Sequence, residues 1–440
     1  MKKPIILIAL LFLLLQSGQA QYVSGPMNYM GQNRGVLMGG LGVAVIDNQT
    51  FVSINFRPEF ALGKFGVGLN LSFLYDTNNG HIRSQDWDSG YDYLRLVRYL
   101  RYGRKYDPIY ARIGTLDAER LGHGFIVNYY TNEASYDNRK IGMTFDLDMG
   151  QFGFESLVSN IGRAELIGLR GYYRPLLGVI DVPIIKNFAI GATVATDLDP
   201  DVYRKTEDAT SIIGFDLELP VVKTSFFRTL LYYDWAQIKG YSSLLNRSKT
   251  FGTGQAVGVM VNIGNLGNFM DFYAKLERRW LGEEFMGSFF DPFYEIQRYQ
   301  RSGALGRHKV DLLVNSPETK GVFGELYGSL LDNKVRLLGM LGRLDDQPKS
   351  GTLHLEADAS EALPVVAFHA AYDKIGVETV SDVFTLNNQS VARVGIGYKM
   401  TPYLILYADY IWTFVEQPLG SHNYKPQERI EPRLVFMYHF

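Results

Sequence analysis

The chain contains no cysteine, so neither a disulfide framework nor a thiolate metal centre can hold it together. Proline is sparse, 16 residues in 440, which leaves few breaks in long backbone ladders. No charge of one sign dominates: without Lys2 and Lys3 the 44 basic residues become 42, against 46 acidic ones. That balance offers no footprint for nucleic acid and no polybasic patch for a membrane surface. After the first 20 residues no apolar run approaches the ~20 residues of a spanning helix, although 46% of the chain is apolar. Apolar content without long runs has to be spread as alternation, the pattern of strands with one apolar face.

Residues 1–20 are the exception. Lys2 and Lys3 precede an apolar run from Pro4 to Leu15, and Gly18 and Ala20 supply small residues before Gln21. This predicts a cleaved secretory signal over 1–20 and a single mature domain over 21–440. No cysteine follows for lipid attachment.

The alternation runs through much of the mature chain. Ile141, Met143, Phe145, Leu147 and Met149 share one face, opposed by Lys140, Thr144, Asp146 and Asp148. Met270, Phe272, Ala274 and Leu276 oppose Asp271, Tyr273, Lys275, Glu277 and Arg279. Ile213, Phe215, Leu217 and Leu219 oppose Asp216 and Glu218, while Leu404, Leu406 and Ala408 lead into Tyr410, Trp412 and Phe414. That last cluster suits an interfacial aromatic girdle. Short links such as Leu62-Gly-Lys64, Met149-Gly-Gln151 and Asp332-Asn-Lys334 broadly alternate with long polar segments near 76–107, 197–210, 239–253, 280–318, 374–389 and 416–429. Short turns on one side and long loops on the other are the pattern of an up-and-down barrel in a membrane.

The chain's final residues carry the same period: Leu434, Phe436, Tyr438 and Phe440 fall on one face. This ending resembles the C-terminal signature of bacterial outer-membrane β-barrels, which their assembly machinery reads. The sequence as a whole resembles porin-type proteins of Gram-negative bacteria, of the Bacteroidota kind. The stretch 108–124, with Arg112 ahead of Gly122 and Gly124, is similar to a hairpin of large solute-channel barrels, including alginate-export-type channels. The resemblance implies an all-β, transmembrane, antiparallel up-and-down barrel of about 18 strands, in a range of roughly 16 to 20, with short periplasmic turns and long external loops. It implies a bacterial outer-membrane location, with lipid, the β-barrel assembly machinery and small hydrophilic solutes as partners. The Gly-rich first hairpin, 35–60, could lie in the lumen instead of the wall.

If the apolar face meets lipid, Arg170, Arg174, Asp216, Glu218, Asp271, Lys275, Glu277 and Arg279 point into the lumen, where such charges need water or partners. The expected function is passive passage of small hydrophilic solutes. The alternative is a plugged barrel, serving a hydrophobic ligand or a secretion or assembly complex. Arg95, Arg98 and Arg101 recur every three residues and predict an amphipathic helical turn folded into the pore as a constriction, with Tyr99 and Tyr102 beside it. An ordinary loop helix fits the same spacing.

Asp197, Asp199 and Asp201, followed by Asp208, approximate a calcium loop, but Val202 stands where that loop needs glycine. No metal and no cofactor are expected. The seven histidines, His81, His123, His308, His354, His369, His422 and His439, form no metalloprotease pair, and no nucleophile elbow appears. The chain reads as a non-enzyme. Replacing Tyr438 or Phe440 with a charged residue is expected to abolish assembly, read as loss of the heat-modifiable band from membranes; normal folding of both variants would contradict the barrel-ending assignment.

Overall fold

A computed structural model describes residues 36–440 except 47–48, 85–86, 88–92, 94–95, 106, 133–139, 183, 202–207, 265–268, 303–304, 417–423 and 440. The expected signal over 1–20, Arg95 and Phe440 lie outside the described residues. The first strands are β1 (Val36–Ile46), β2 (Gln49–Phe56), β3 (Glu59–Leu62), β4 (Phe65–Leu69), β5 (Leu71–Asp76), β6 (His81–Ile82), β7 (Val97–Tyr102) and β8 (Ile109–Gly114). Next come β9 (Gly142–Asp148), β10 (Phe152–Val158), β11 (Leu166–Tyr173), β12 (Ala189–Asp197), β13 (Thr210–Lys223), β14 (Phe227–Ser242), β15 (Arg247–Ile263) and β16 (Met270–Leu281). A small hairpin, β17 (Tyr299–Ser302) and β18 (Leu305–His308), precedes β19 (Thr319–Leu330), β20 (Val335–Leu344) and β21 (Gly351–Asp358). The chain ends in β22 (Val366–Val377), β23 (Ser390–Thr401), β24 (Leu404–Glu416) and β25 (Tyr424–His439).

Every wall strand pairs antiparallel with its neighbours, and β1 pairs with β25 from Val36 opposite His439 to Leu41 opposite Leu434. The sheet therefore closes on itself. β2 and β3 make one bent stave around Pro58, and β4 and β5 another around Asn70, because Phe56 pairs with Leu71 and Glu59 with Gly68. Proline cannot donate to a ladder, so the bend falls where its missing N–H does least harm. With β6 an extension beside β5, and β17 and β18 a separate sheet, the ring has twenty staves among the described residues. The first hairpin belongs to the wall, where β1 pairs with β2 and β2 with β5.

Register sorts the side chains. Outward faces expose Ile213, Phe215 and Leu217 on β13, Leu276 on β16, Leu326 on β19 and Leu406 on β24, a lipid-type belt. At the short-turn end, Phe152 stacks on Tyr173 at 4.8 Å and Tyr403 meets Phe436 edge-on at 5.7 Å. Tyr410 and Trp412 lie 6.2 Å apart toward the other end. Two aromatic levels bracket the apolar belt, as interfacial rings do. On the inward face, Tyr232 lies over Gly258 so closely that an added Cβ would stand 2.1 Å from its ring; Tyr172 covers Gly153 in the same way, with a distance of 2.2 Å. Aromatic rings cover the bare backbone that such glycines leave, which accounts for some of the high Gly and Tyr counts. β13, β14 and β15 run 14, 16 and 17 residues, longer than the ~9–11 a bilayer crossing takes. That stretch of wall rises beyond the apolar belt at the long-loop end.

The segment around Arg98 departs from the expected helix. Residues 97–102 are strand β7, paired with β4 and β8. The neighbouring ladders satisfy the backbone of this segment on both edges, and that outweighs the three-residue spacing of its arginines. Replacing Leu276, at mid-height on the outward face, with Arg is expected to destabilise the folded barrel in lipid by about 2–4 kcal/mol, measured by reversible denaturant unfolding in bilayers.

Candidate functional site

Two segments from the long-loop end fill part of the lumen: 115–132, between β8 and β9, and 282–318, between β16 and β19. They are stitched backbone to backbone, Asn128 N–H to the Phe290 carbonyl at 3.0 Å and Phe290 N–H to the Ile126 carbonyl at 3.1 Å. Leu121, Phe125, Ile126, Phe285, Phe289 and Phe290 are buried between them and pack on inward-facing Leu157, Ala195, Ile212, Ala236 and Ile238. The wall from β10 to β14 thus carries an apolar band inside at this end, with Asp197 at the end of β12 held by Arg298 at 2.8 Å, and burial of the apolar side chains favours insertion at roughly 25 cal/mol per Å² of apolar surface.

Beneath that contact the wall is charged, and segment 115–132 is pinned to it. Asp117 bonds Arg98 at 3.1 Å and Arg112 at 2.7 Å. Arg120 donates to Asn128 at 2.8 Å, Tyr273 at 3.0 Å and Glu325 at 2.6 Å. Gly122, at φ 54°, donates its N–H to Glu155 at 2.7 Å, and a Cβ there would press on the Arg170 guanidinium at 2.9 Å. His123 lies flat on Tyr232, ring centroids 4.0 Å apart, with Nδ1 3.0 Å from Asp234. The His123 carbonyl accepts from Lys275. Burial disfavours the charged imidazole, but attraction from Asp234 and Glu218 outweighs it and pushes the His123 pKa up to about 10.

The expected lumenal charges come together around this pin. Arg170 donates to Asp216 at 2.9 and 2.5 Å, to Glu218 at 2.5 Å and to Glu155 at 3.0 Å. Lys275 pairs with Glu277 at 2.7 Å, and Arg279 meets the same carboxylate at 2.5 Å. Arg174 bonds Asp148 at 2.8 Å. Asp271 lines the cavity described below. Arg98 anchors the insert through Asp117 and reaches Glu59 at 2.8 Å, while Arg101 reaches the Gly103 carbonyl at 2.9 Å; neither stands on a helical constriction. Tyr99 faces the lumen, but Tyr102 packs outside against Phe65 at 5.1 Å, because strand alternation separates the two.

Below the insert, toward the short turns, lies a cavity of about 710 Å³. Arg101, Arg104, Asp148, Arg174, Arg228 and Asp271 bring both signs of charge to it, and Tyr99, Tyr110, Tyr172 and Tyr273 supply aromatic faces. The wall of β20 to β25 also has inward charges in contact with solvent: Asp373 is 58% and Arg433 43% exposed. This is a wet compartment with mixed polarity, able to hold a hydrated or zwitterionic solute.

Local patterning does not set the inserted segment apart, because 123–130 also fits a strand of the wall. The signal was present in Glu119-Arg120 followed by Gly122-His-Gly124, where charge and flexible backbone interrupt alternation.

No family model matches the chain, and no curated protein does. Among solved structures the chain is similar to the ferric citrate transporter FecA, with 11% identity over 92% of this chain and 71% of that one, TM-score 0.41. It is similar to OccAB4 of Acinetobacter baumannii, with 9% identity over 92% and 97%, TM-score 0.33. It is also similar to CdiB of Acinetobacter baumannii, with 9% identity over 92% of this chain, TM-score 0.32, and it spans 60% of CdiB's length. The barrel assignment rests on strand pairing; likenesses of this size carry no argument about cargo.

Because His123 has its pKa raised in the folded state, its contribution to stability is complete below about pH 6.5 and is lost as pH rises through about 10. The stability difference between wild type and His123→Gln, from denaturant unfolding, is expected to shrink between pH 7 and pH 11.

Proposed function

We propose that the protein is an outer-membrane barrel that passes small hydrophilic solutes, with segments 115–132 and 282–318 restricting the route. The observation that carries this reading is the 710 Å³ compartment lined by both signs of charge directly beneath the insert. A dry, permanently sealed barrel has no use for solvated charge at that depth, since unpaired charges there are costly. The short-turn end is assigned to the periplasm and the long-loop end to the outside, following the one-sided loop lengths. The aromatic, mixed-charge lining favours polar solutes of either charge or of both, held by stacking and ion pairing. The similarity of 108–124 to a hairpin of solute-channel barrels supports the same reading, with Arg112 holding the insert through Asp117. No catalytic role enters this reading.

A second reading is favoured by one observation, the buried apolar contact between the two inserted segments and the wall. A barrel sealed by that contact would act as a carrier or as part of a secretion complex, opening only with a partner.

Conductance separates the two. In a planar bilayer with a salt gradient, the refolded wild type is expected to give small steady steps. The double variant Arg120→Ala, Glu325→Gln, which frees the insert from β19, is expected to give larger ones. A properly inserted wild type and variant that both stay silent would sink the channel reading and favour the carrier.

A further inference from the structure

The long-loop mouth holds a cluster that neither the charge ladder nor the transport reading uses. Asp201 and Asp208 come from the loop between β12 and β13, and His308 ends β18 within the inserted segment 282–318. Their ligand atoms all lie within 4.8 Å of one another, and the residues are 8%, 1% and 5% exposed. Sequence alone argued against a metal in this loop, because the calcium template fails at Val202. The histidine, a hundred residues further on, changes the donor set.

We propose that Asp201, Asp208 and His308 form a site for a divalent transition cation of the zinc class, which clips the β12–β13 loop to the inserted segment. Asp208 supplies the observation that points to a cation. Its Oδ2 faces His308 Nε2 at 2.8 Å and accepts the Asp201 N–H at 3.1 Å, whereas its Oδ1 is buried with no hydrogen-bond partner among the described residues. A buried carboxylate oxygen without a partner is left desolvated at a cost, and a bound cation removes it.

His308 is held as metal-binding histidines are held. Its Nδ1 contacts the Ser243 hydroxyl, which leaves Nε2 directed at the carboxylates. Its ring sits edge-on to Tyr241 at 5.7 Å and to Tyr299 at 5.2 Å. Its backbone N–H bonds Asp311 at 3.0 Å, and that carboxylate also accepts from Ser242 at 2.6 Å. The ring therefore has little freedom to turn away.

One imidazole nitrogen and two carboxylates suit zinc with a water in the fourth place. Calcium prefers oxygen alone. Around a tetrahedral zinc, neighbouring ligand atoms stand about 3.3 Å apart, so binding opens the His308–Asp208 contact by roughly half an ångström, and the proton between them leaves to solvent. The other group of similar composition, His123 with Asp216 and Glu218, already holds Arg170 on both carboxylates and is filled by that cation.

The test uses the full mature chain, folded in detergent, stripped with a chelator and dialysed against zinc. One tightly bound zinc per chain is expected by mass-spectrometric metal analysis, with His308→Ala and Asp208→Asn each weakening binding at least about tenfold while keeping the heat-modifiable band. No stoichiometric zinc in wild type, zinc binding unchanged in both variants, or calcium binding as tightly as zinc and independently of His308 would each overturn the assignment. Should the variants fail to fold, cobalt(II) in the wild type reads the donor set directly. Intense visible absorption of a tetrahedral nitrogen–oxygen site is expected, and the weak bands of an octahedral ion would overturn it.

Discussion

The pairing of β1 with β25 is the interaction on which the rest depends. A sheet with a free edge leaves a row of unpaired backbone groups, and in hydrocarbon each of those costs several kcal/mol. Joining Val36–Leu41 to Leu434–His439 removes the edge. Closure also fixes register all the way round, since a slip of one residue at any stave would turn its apolar side chains inward and its charges toward lipid. The inward set is consistent from stave to stave: Arg112 stands beside Thr144, Arg170 beside Glu155, Lys275 beside Glu325.

A ring this wide cannot fill itself with wall side chains. The chain fills it with two of its own loops, held by apolar and ionic contacts, with Arg298 bonded to Asp197 at the long-loop end as well. Near the long-loop end the contact is apolar, Phe125, Phe289 and Phe290 against Ile212 and Ile238. Beneath it the contact is ionic, with Asp117, Arg120 and His123 each meeting a wall charge of opposite sign. The apolar part supplies non-directional affinity. The ionic part supplies position, because a buried charge left without its partner is far more costly than the pair itself is favourable. The compartment below the insert exists because the ionic layer stops short of the short turns.

Much of the wall was legible from alternation, because period two survives wherever one face meets an apolar medium and the other does not. It failed where both faces are apolar or where a loop competes. Ile212 and Ile213 are consecutive apolar residues because one packs on the insert and the other faces outward. Arg98 and Arg101 mimicked a helical stripe, but they lie on a strand with neighbours on both edges, and the register shift beside Arg98 lets both line the lumen. The lumenal charges were legible as a set: Arg170, Asp216, Glu218, Lys275, Glu277 and Arg279 all face inward and pair. Their partners Glu155 and His123 were not, nor were the pins Asp117 to Arg112 and Arg120 to Glu325, since pairing across a lumen has no signature in local spacing.

What the sequence determined by itself was the class of the molecule. Balanced charge, no cysteine, spread apolar content and period-two segments separated by unequal loops admit one economical solution, a closed antiparallel barrel with a polar interior. Only the tertiary structure decided what occupies that interior. Whether inward charges face water or one another, and whether His308 meets Asp201 and Asp208, depends on residues a hundred or more positions apart. Local periodicity reports which face a side chain takes; it carries no information about what stands across a lumen from it.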